Sequence, residues 1–293
     1  MNINKNYGLG ITYGITAALI WAAFPVMTRF GVAKSNFDAL DMTFIRFITS
    51  GILVSPYLLI SKHRKVPFAG LVTMMMGLGA PYMLTIALGL KFSPVEFFAV
   101  ITPTSMIIFS LLLNRFFMKK DISTNEYVGI FIIMIGVVFS GYFSVNNSDI
   151  IAYLLFLLGG LLWAIYTISS QYYCDSALYA TALVSFSSMI IYTPLYIYLK
   201  GLDIFLVPIS TLAPQIIYQG ILVSIVALFF YSKSVFLLGS TLGSVFAALV
   251  PALSILISAF TLNEIPSLFS ILGLFTITIG MVITIFKWRS TNE

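Results

Sequence analysis

Apolar runs of about twenty residues follow one another along almost the whole chain, and a membrane is the natural solvent for such a pattern. They lie near 9–32, 41–61, 68–90, 94–116, 127–145, 150–171, 178–199, 213–236, 243–262 and 267–286. At about 1.5 Å per residue, roughly 20 residues of helix cross the ~30 Å hydrocarbon layer. A membrane β-barrel would instead show alternating segments of about ten residues. Only 9% of the 293 residues are charged, 60% are hydrophobic, and the mean hydropathy is +1.04. A soluble domain carries roughly 25% charged residues, so this chain has too few to cover a water-facing surface. The fold class expected is therefore all-α: a polytopic membrane protein with ten transmembrane helices. The first run, Tyr7 to Val32, is long enough to span and lacks the basic start and short apolar core of a cleavable signal peptide.

The chain also repeats itself. Trp21, Pro103, Gly129 and Gly136 recur in order as Trp163, Pro251, Gly273 and Gly280. Val128-Gly-Ile-Phe-Ile-Ile-Met-Ile-Gly-Val-Val138 is echoed by Leu272-Gly-Leu-Phe-Thr-Ile-Thr-Ile-Gly-Met-Val282. Residues 1–146 and 147–293 thus read as two units of five spans. An odd number of crossings forces the second unit to enter the membrane upside down. Inverted repeats of this kind build substrate sites at their interface that open to alternate sides.

Lysine and arginine set the orientation. With the N-terminus inside, the inner segments hold Lys5, Lys62, Arg64, Lys65, Arg115, Lys119, Lys120, Lys287 and Arg289, and the outer ones only Lys34, Lys91 and Lys200. Both termini are expected on the cytoplasmic side of a cytoplasmic (inner) membrane. The net charge of +5 reads as inner loop charge, not as a nucleic-acid patch, so no nucleic-acid partner is expected.

Catalytic chemistry finds little to use. His63, the one histidine, lies in a basic loop, no two carboxylates share a span, and no Ser/His/Asp set or phosphate-cradling glycine loop occurs. Cys174 is the single cysteine, which excludes an intramolecular disulfide and a multi-cysteine metal site. No catalytic residue, metal site or cofactor is expected. A channel is disfavoured too, since no span carries a consistent hydrophilic stripe.

Charges inside spans cost roughly 2.5–3.5 kcal/mol each on insertion scales, so each needs a reason. Lys233 reads either as a side chain snorkelling to the interface or as a cavity cation for a substrate carboxylate or proton coupling. Glu96 reads as an interfacial charge near Lys91 or as an outer-gate carboxylate. Arg46 reads first as a helix anchor on neighbouring carbonyls, and second as a substrate contact. Trp21 and Trp163 stand at mid-span in matching positions, beside Pro25 and Gly159-Gly160 respectively, as suits helices bending around a cavity; repeat-symmetric packing is the alternative. Gly77-Leu-Gly-Ala-Pro-Tyr82, Pro103 and Pro251 should weaken backbone bonding in mid-membrane.

Taken together, these landmarks resemble the drug/metabolite transporter superfamily, EamA-type branch. The resemblance rests on Leu19-Ile-Trp21 and Leu161-Leu-Trp163, Phe44-Ile-Arg-Phe47, Gly79-Ala-Pro-Tyr82, the segment from Leu238 to Pro251, Leu262-Asn-Glu264, Gly273 and Gly280. It covers essentially the whole chain and implies two inverted five-helix repeats around a central cavity. Carried over, the substrate-facing candidates are Trp21, Tyr82, Phe98, Trp163, Tyr166 and Lys233. Pro25, Pro103, Pro251 and Glu96 are the hinge and gating candidates. The first half departs from the family pattern, offering Arg115-Phe-Phe-Met-Lys-Lys120 where a glutamate is common. The expected function is secondary transport of a small organic metabolite, such as an amino acid, by alternating access and in the export direction. Membrane lipids and a coupling proton or ion are the other expected partners. A lipid or lipid-linked carrier translocase of the same fold is the alternative.

Overall fold

The computed structural model describes residues 3–60, 62–63, 65–117, 119, 123–141, 149–238 and 246–285. The 146/147 boundary, the link 239–245 and the basic residues Arg64, Lys120, Lys287 and Arg289 lie outside the described residues, as does the side chain of Lys5. Among the described residues ten apolar helices appear: α1 (Tyr7–Lys34), α2 (Ala39–Ile60), α3 (Phe68–Phe92), α4 (Val95–Phe117), α5 (Thr124–Val137), α6 (Ile150–Tyr173), α7 (Ala177–Lys200), α8 (Ile209–Val235), α9 (Phe246–Thr261) and α10 (Leu268–Thr284). Seven of them are long and apolar enough to cross a membrane by themselves. Large apolar side chains such as Phe131, Ile191, Phe260 and Phe275 stand on the outside, which is what a bilayer-facing surface requires.

The packing has an internal exchange symmetry. α1 packs on α8 and α9, and α6 packs correspondingly on α3 and α4. α2 meets α8 as α7 meets α3, while α2–α7, α4–α9 and α5–α10 pair each helix with its own repeat mate. Swapping the two halves therefore leaves these principal pairings unchanged. The directions agree. α3 and α6 run antiparallel, with Gly77 beside Leu162 and Tyr166 and Gly89 beside Phe156. Since α3 runs the same way as α1 after two crossings, α6 runs opposite to α1, and the second half is inverted.

The α5–α10 seam shows the two-fold most sharply. Gly136 abuts Gly273 and Ile277, while Gly280 abuts Gly129 and Ile133. A Cβ on Gly136 would lie 2.7 Å from the Gly273 carbonyl oxygen, and one on Gly280 would lie 2.8 Å from that of Gly129. Each glycine is needed because backbone meets backbone there, the usual basis of helix association in lipid.

Helix irregularities fall on α1, α3, α8 and α9. Gly79 is extended (φ −86°, ψ −150°) and divides α3 into Phe68–Leu78 and Ala80–Phe92, with Pro81 opening the second piece. The Ser188 hydroxyl of α7 accepts from the freed Ala80 N–H at 3.3 Å, so the break is satisfied by protein. Phe30–Lys34 of α1 and Ile216–Val226 of α8 form wide π-type turns, a geometry often found at functional positions. α9 is interrupted at Leu249, two residues before Pro251, whereas α4 continues through Pro103.

Candidate functional site

Two tryptophan–tyrosine pairs face the interior from opposite halves. Trp21 of α1 meets Tyr231 of α8 with ring centroids 5.1 Å apart, and Trp163 of α6 meets Tyr82 of α3 at 6.1 Å. Because α1 exchanges with α6 and α8 with α3, the two pairs are related by the internal two-fold. Tyr82 is buried, while both tryptophans keep some accessible surface despite their mid-helix positions. Phe98 is buried between Phe24, at 6.1 Å, and Phe156, at 5.8 Å, in edge-to-face contact. Tyr166 lies one turn beyond Trp163, its hydroxyl 3.5 Å from that of Thr181, in a small separate cluster with Met74, Ala180 and Val184.

Pro25 cannot donate to the Trp21 carbonyl one turn earlier, so α1 is weakened at this level. Its neighbours clamp it. Tyr218 of α8 donates to the Ile20 carbonyl, and the Ser254 hydroxyl of α9 donates to that of Ala22 at 2.8 Å. Further along, Gln215 donates to the Met27 carbonyl at 3.2 Å and Gln219 to the Thr28 hydroxyl at 3.0 Å.

Arg46 enters the same region from α2. Its guanidinium carbon lies 5.0 Å from the centroid of Phe24 and 5.9 Å from that of Phe47, and Tyr82 is the titratable side chain facing it. Among the described residues nothing accepts a hydrogen bond from its buried Nη1. The site therefore holds a cation among aromatic rings of the first half, one of which, Tyr82, touches Trp163 of the second.

One end of the bundle is tied by ionic contacts. Arg29 at the end of α1 bonds Glu264 through Nε at 2.9 Å, and its Nη1 reaches the carbonyls of Leu90 (2.5 Å) and Lys91 (3.0 Å). The other Glu264 oxygen accepts from the Val95 N–H at 3.0 Å, at the start of α4. Glu264 thus joins α1, α3, α4 and the end of α9. Glu96, next along, has one carboxylate oxygen buried without a partner among the described residues. On the same end, Lys200 meets Asp38 at 2.9 Å, and Tyr196 donates to Asp41 at 2.7 Å. Burial alone would raise the Asp38 pKa, but the Asp41 N–H and Lys200 outweigh it and hold Asp38 below the usual aspartate value.

The opposite, basic end is held by His63, whose ring lies 2.7 Å from an Asp175 oxygen and 2.8 Å from the Tyr57 hydroxyl, stacked on Tyr179. Cys174 beside it is pushed up by burial and by the Asp175 charge, so it stays a thiol. Lys233 is exposed, its Nζ 5.6 Å from the Phe229 ring, which is itself half exposed. Two residues on a helix turn through about 200°, so Lys233 points away from the Tyr231–Trp21 contact.

Tyr82 and Phe98 thus belong to the main core, with Trp21 and Trp163 packed against it and Pro25 one turn beyond Trp21. Tyr166 and Lys233 stand apart from that group, and Glu96 belongs to the Glu264 end. Two members were not singled out as site residues from sequence. Counted back from Pro251, Tyr231 lies one residue beyond Phe230, the position that matches Tyr82, so extending the repeat alignment through α8 comes within a residue of it. Arg46 was visible as a charge within a span, but only the fold shows what it faces.

An all-helical membrane protein with two inverted halves has an architecture common among membrane transporters. The profile of the EamA-like transporter family matches residues 8–142 and again residues 150–286, and the chain belongs to that family. Its curated relatives include an uncharacterized transporter, YdfC, of Bacillus subtilis (strain 168), 26% identical over 198 residues. That match covers 65% of this chain and 62% of the relative's length. A solved crystal structure shares the fold, with a TM-score of 0.61 over 94% of this chain and 97% of the other, at 18% identity. The protein is a multi-pass membrane transporter and not an enzyme.

Proposed function

We propose that the protein is a secondary transporter that carries a small organic metabolite, in the first instance an amino acid, outward across the cytoplasmic membrane by alternating access. Residues 1–146 and 147–293 act as the two repeats, and both termini face the cytoplasm. The observation that carries the reading is the pair of two-fold-related contacts, Trp21–Tyr231 and Trp163–Tyr82. They offer the same apolar, ring-stacking surface from either half. A guest held between them keeps its contacts when the halves exchange conformations. The ionic closure at the Glu264 end supports a state sealed on that side. With no nucleotide-binding motif in the sequence, movement is passive or coupled to a proton or ion.

Counterflow in proteoliposomes tests this. Vesicles preloaded with an amino acid should accumulate the labelled compound. Trp21→Ala should cut the initial rate about tenfold or more, and Lys233→Ala should alter it less than twofold. Absence of counterflow for every amino acid would remove the amino-acid assignment. Net movement of an inverted lipid by the same vesicles would replace it with lipid translocation.

A further inference from the structure

We propose that Arg46 is the anion-binding residue of the central site, and that the transported molecule carries a single carboxylate. This rests on the transport reading above and adds the chemical class of the cargo.

Arg46 lies eight residues into α2, about 10 Å from the Ala39 end of that helix. It is therefore well inside the hydrocarbon layer, where a charge is retained only for a strong reason. An anchoring arginine would use its donors on carbonyls of neighbouring helices, as Arg29 does on Leu90 and Lys91. Arg46 does not. Its Nη1 is buried with no acceptor among the described residues, and it forms no ion pair with a described carboxylate. What surrounds it is aromatic: Phe24 at 5.0 Å, Phe47 at 5.9 Å, and Tyr82. Ring faces hold the guanidinium in place and leave its edge donors free. Meanwhile the residue keeps some accessible surface. An enclosed cation with free donors and an accessible side suits a ligand that comes and goes.

The neighbours define where that ligand sits. Phe24 is three residues from Trp21, and Tyr82 touches Trp163. Arg46 thus neighbours a member of one tryptophan–tyrosine pair, Tyr82, and a ring one turn from Trp21, so a carboxylate on its fork would place an attached apolar group among aromatic rings. The fold itself does not require the charge. Ala39 and Pro56 of α2 correspond to Ala177 and Pro194 of α7, which aligns Arg46 with Val184. The second half is built equally well with an apolar residue there.

The charge count points to a monoanion. Arg29 is occupied by Glu264, and Lys233 is exposed over Phe229. Among the described residues no second cation joins Arg46, as a phosphate dianion would need. The planar fork matches a carboxylate through two parallel hydrogen bonds.

Thermal-shift titrations of the purified full chain test the assignment with matched pairs: phenylalanine, leucine and 3-phenylpropionate, each against its primary amide. For the wild type, the acids should reach half-saturation at about tenfold lower concentration than the amides. In Arg46→Gln the acid and amide should come within about twofold of each other, and the unliganded protein should melt no lower than wild type. Arg46→Lys should keep part of the preference. Equal binding of acid and amide, no binding by any of the acids, or an acid preference that survives in Arg46→Gln would overturn the proposal. So would an Arg46→Gln protein that melts several degrees lower, since that marks a structural anchor. If amides bind as well as acids and both show counterflow, the anion site fails and transport stands. If acids bind through Arg46 but never cross the vesicle membrane, the anion site stands and transport fails.

Discussion

The two ends of the bundle are built on the same plan and finished differently. At each end the segments bounding α2 and α7 are joined by a side-chain contact: the Lys200–Asp38 ion pair at one, a His63–Asp175 hydrogen bond at the other. The Glu264 end then adds a second tie, in which one carboxylate bonds Arg29 and caps α4. The repeat shows why the basic end does not copy it. Leu262-Asn-Glu264 is mirrored by Leu113-Asn-Arg115, and Arg29 by Gln171, so the acid has become a base and the base is neutral. A shared scaffold has been given unequal fastenings. If the ends open in turn, as the proposed function requires, that inequality sets which closed state is favoured at rest.

Breaking the stronger fastening should have the largest effect. Glu264→Gln leaves Arg29 without its counter-ion and weakens the α4 cap. Both groups are only about 15% exposed, so roughly 3 kcal/mol of stability should go. The check is the melting temperature in detergent, together with faster thiol labelling at a cysteine placed at Ser93. The charge-swapped pair Arg29→Glu with Glu264→Arg should recover part of the loss; no recovery would mean the cap, not the ion pair, dominates.

A change at the seam both ends share should cost less and treat them alike. Gly129→Leu drives a side chain toward the Gly280 carbonyl and the Thr284 backbone, an overpacking worth about 1–3 kcal/mol. Thermal unfolding should register it, without the end-selective labelling seen for Glu264→Gln.

The smallest expected effect is at Asp38. Its folded pKa is depressed, so its contribution is present above the unfolded value, near 4, and is lost as pH falls through the folded one. With Asp38 and Lys200 each more than a third exposed, solvent screening holds the pair to less than about 1 kcal/mol. Asp38→Asn should therefore melt slightly below wild type at pH 6, and the two curves should converge as the pH approaches 3. Curves that stay apart there would assign the difference to something other than this charge.

Much of this was legible beforehand. Twenty-residue apolar runs can do little but cross a bilayer, so the helices sit close to where hydropathy puts them; the matched glycines marked the repeat, but only the fold shows that they form the α5–α10 seam. The break in α3 was legible as a weak point from Gly79 and Pro81, but its satisfaction by Ser188 depends on α7 lying alongside. The wide turns of α8 left no mark in the sequence, because hydrogen-bond register is settled by neighbouring helices. Arg46 shows the same limit at the site. A charged residue in a span announces a cost, and only tertiary structure tells whether carbonyls, a carboxylate or aromatic rings meet it.

The glycine seam is two-fold in itself. Because Gly129 meets Gly280 just as Gly273 meets Gly136, the contact is one that two identical half-length polypeptides could form, provided they inserted in opposite senses. Covalent fusion adds nothing to that surface. What it secures is stoichiometry and opposed insertion, leaving each copy free to lose residues the other keeps, as Arg46 and Glu264 each stand in only one.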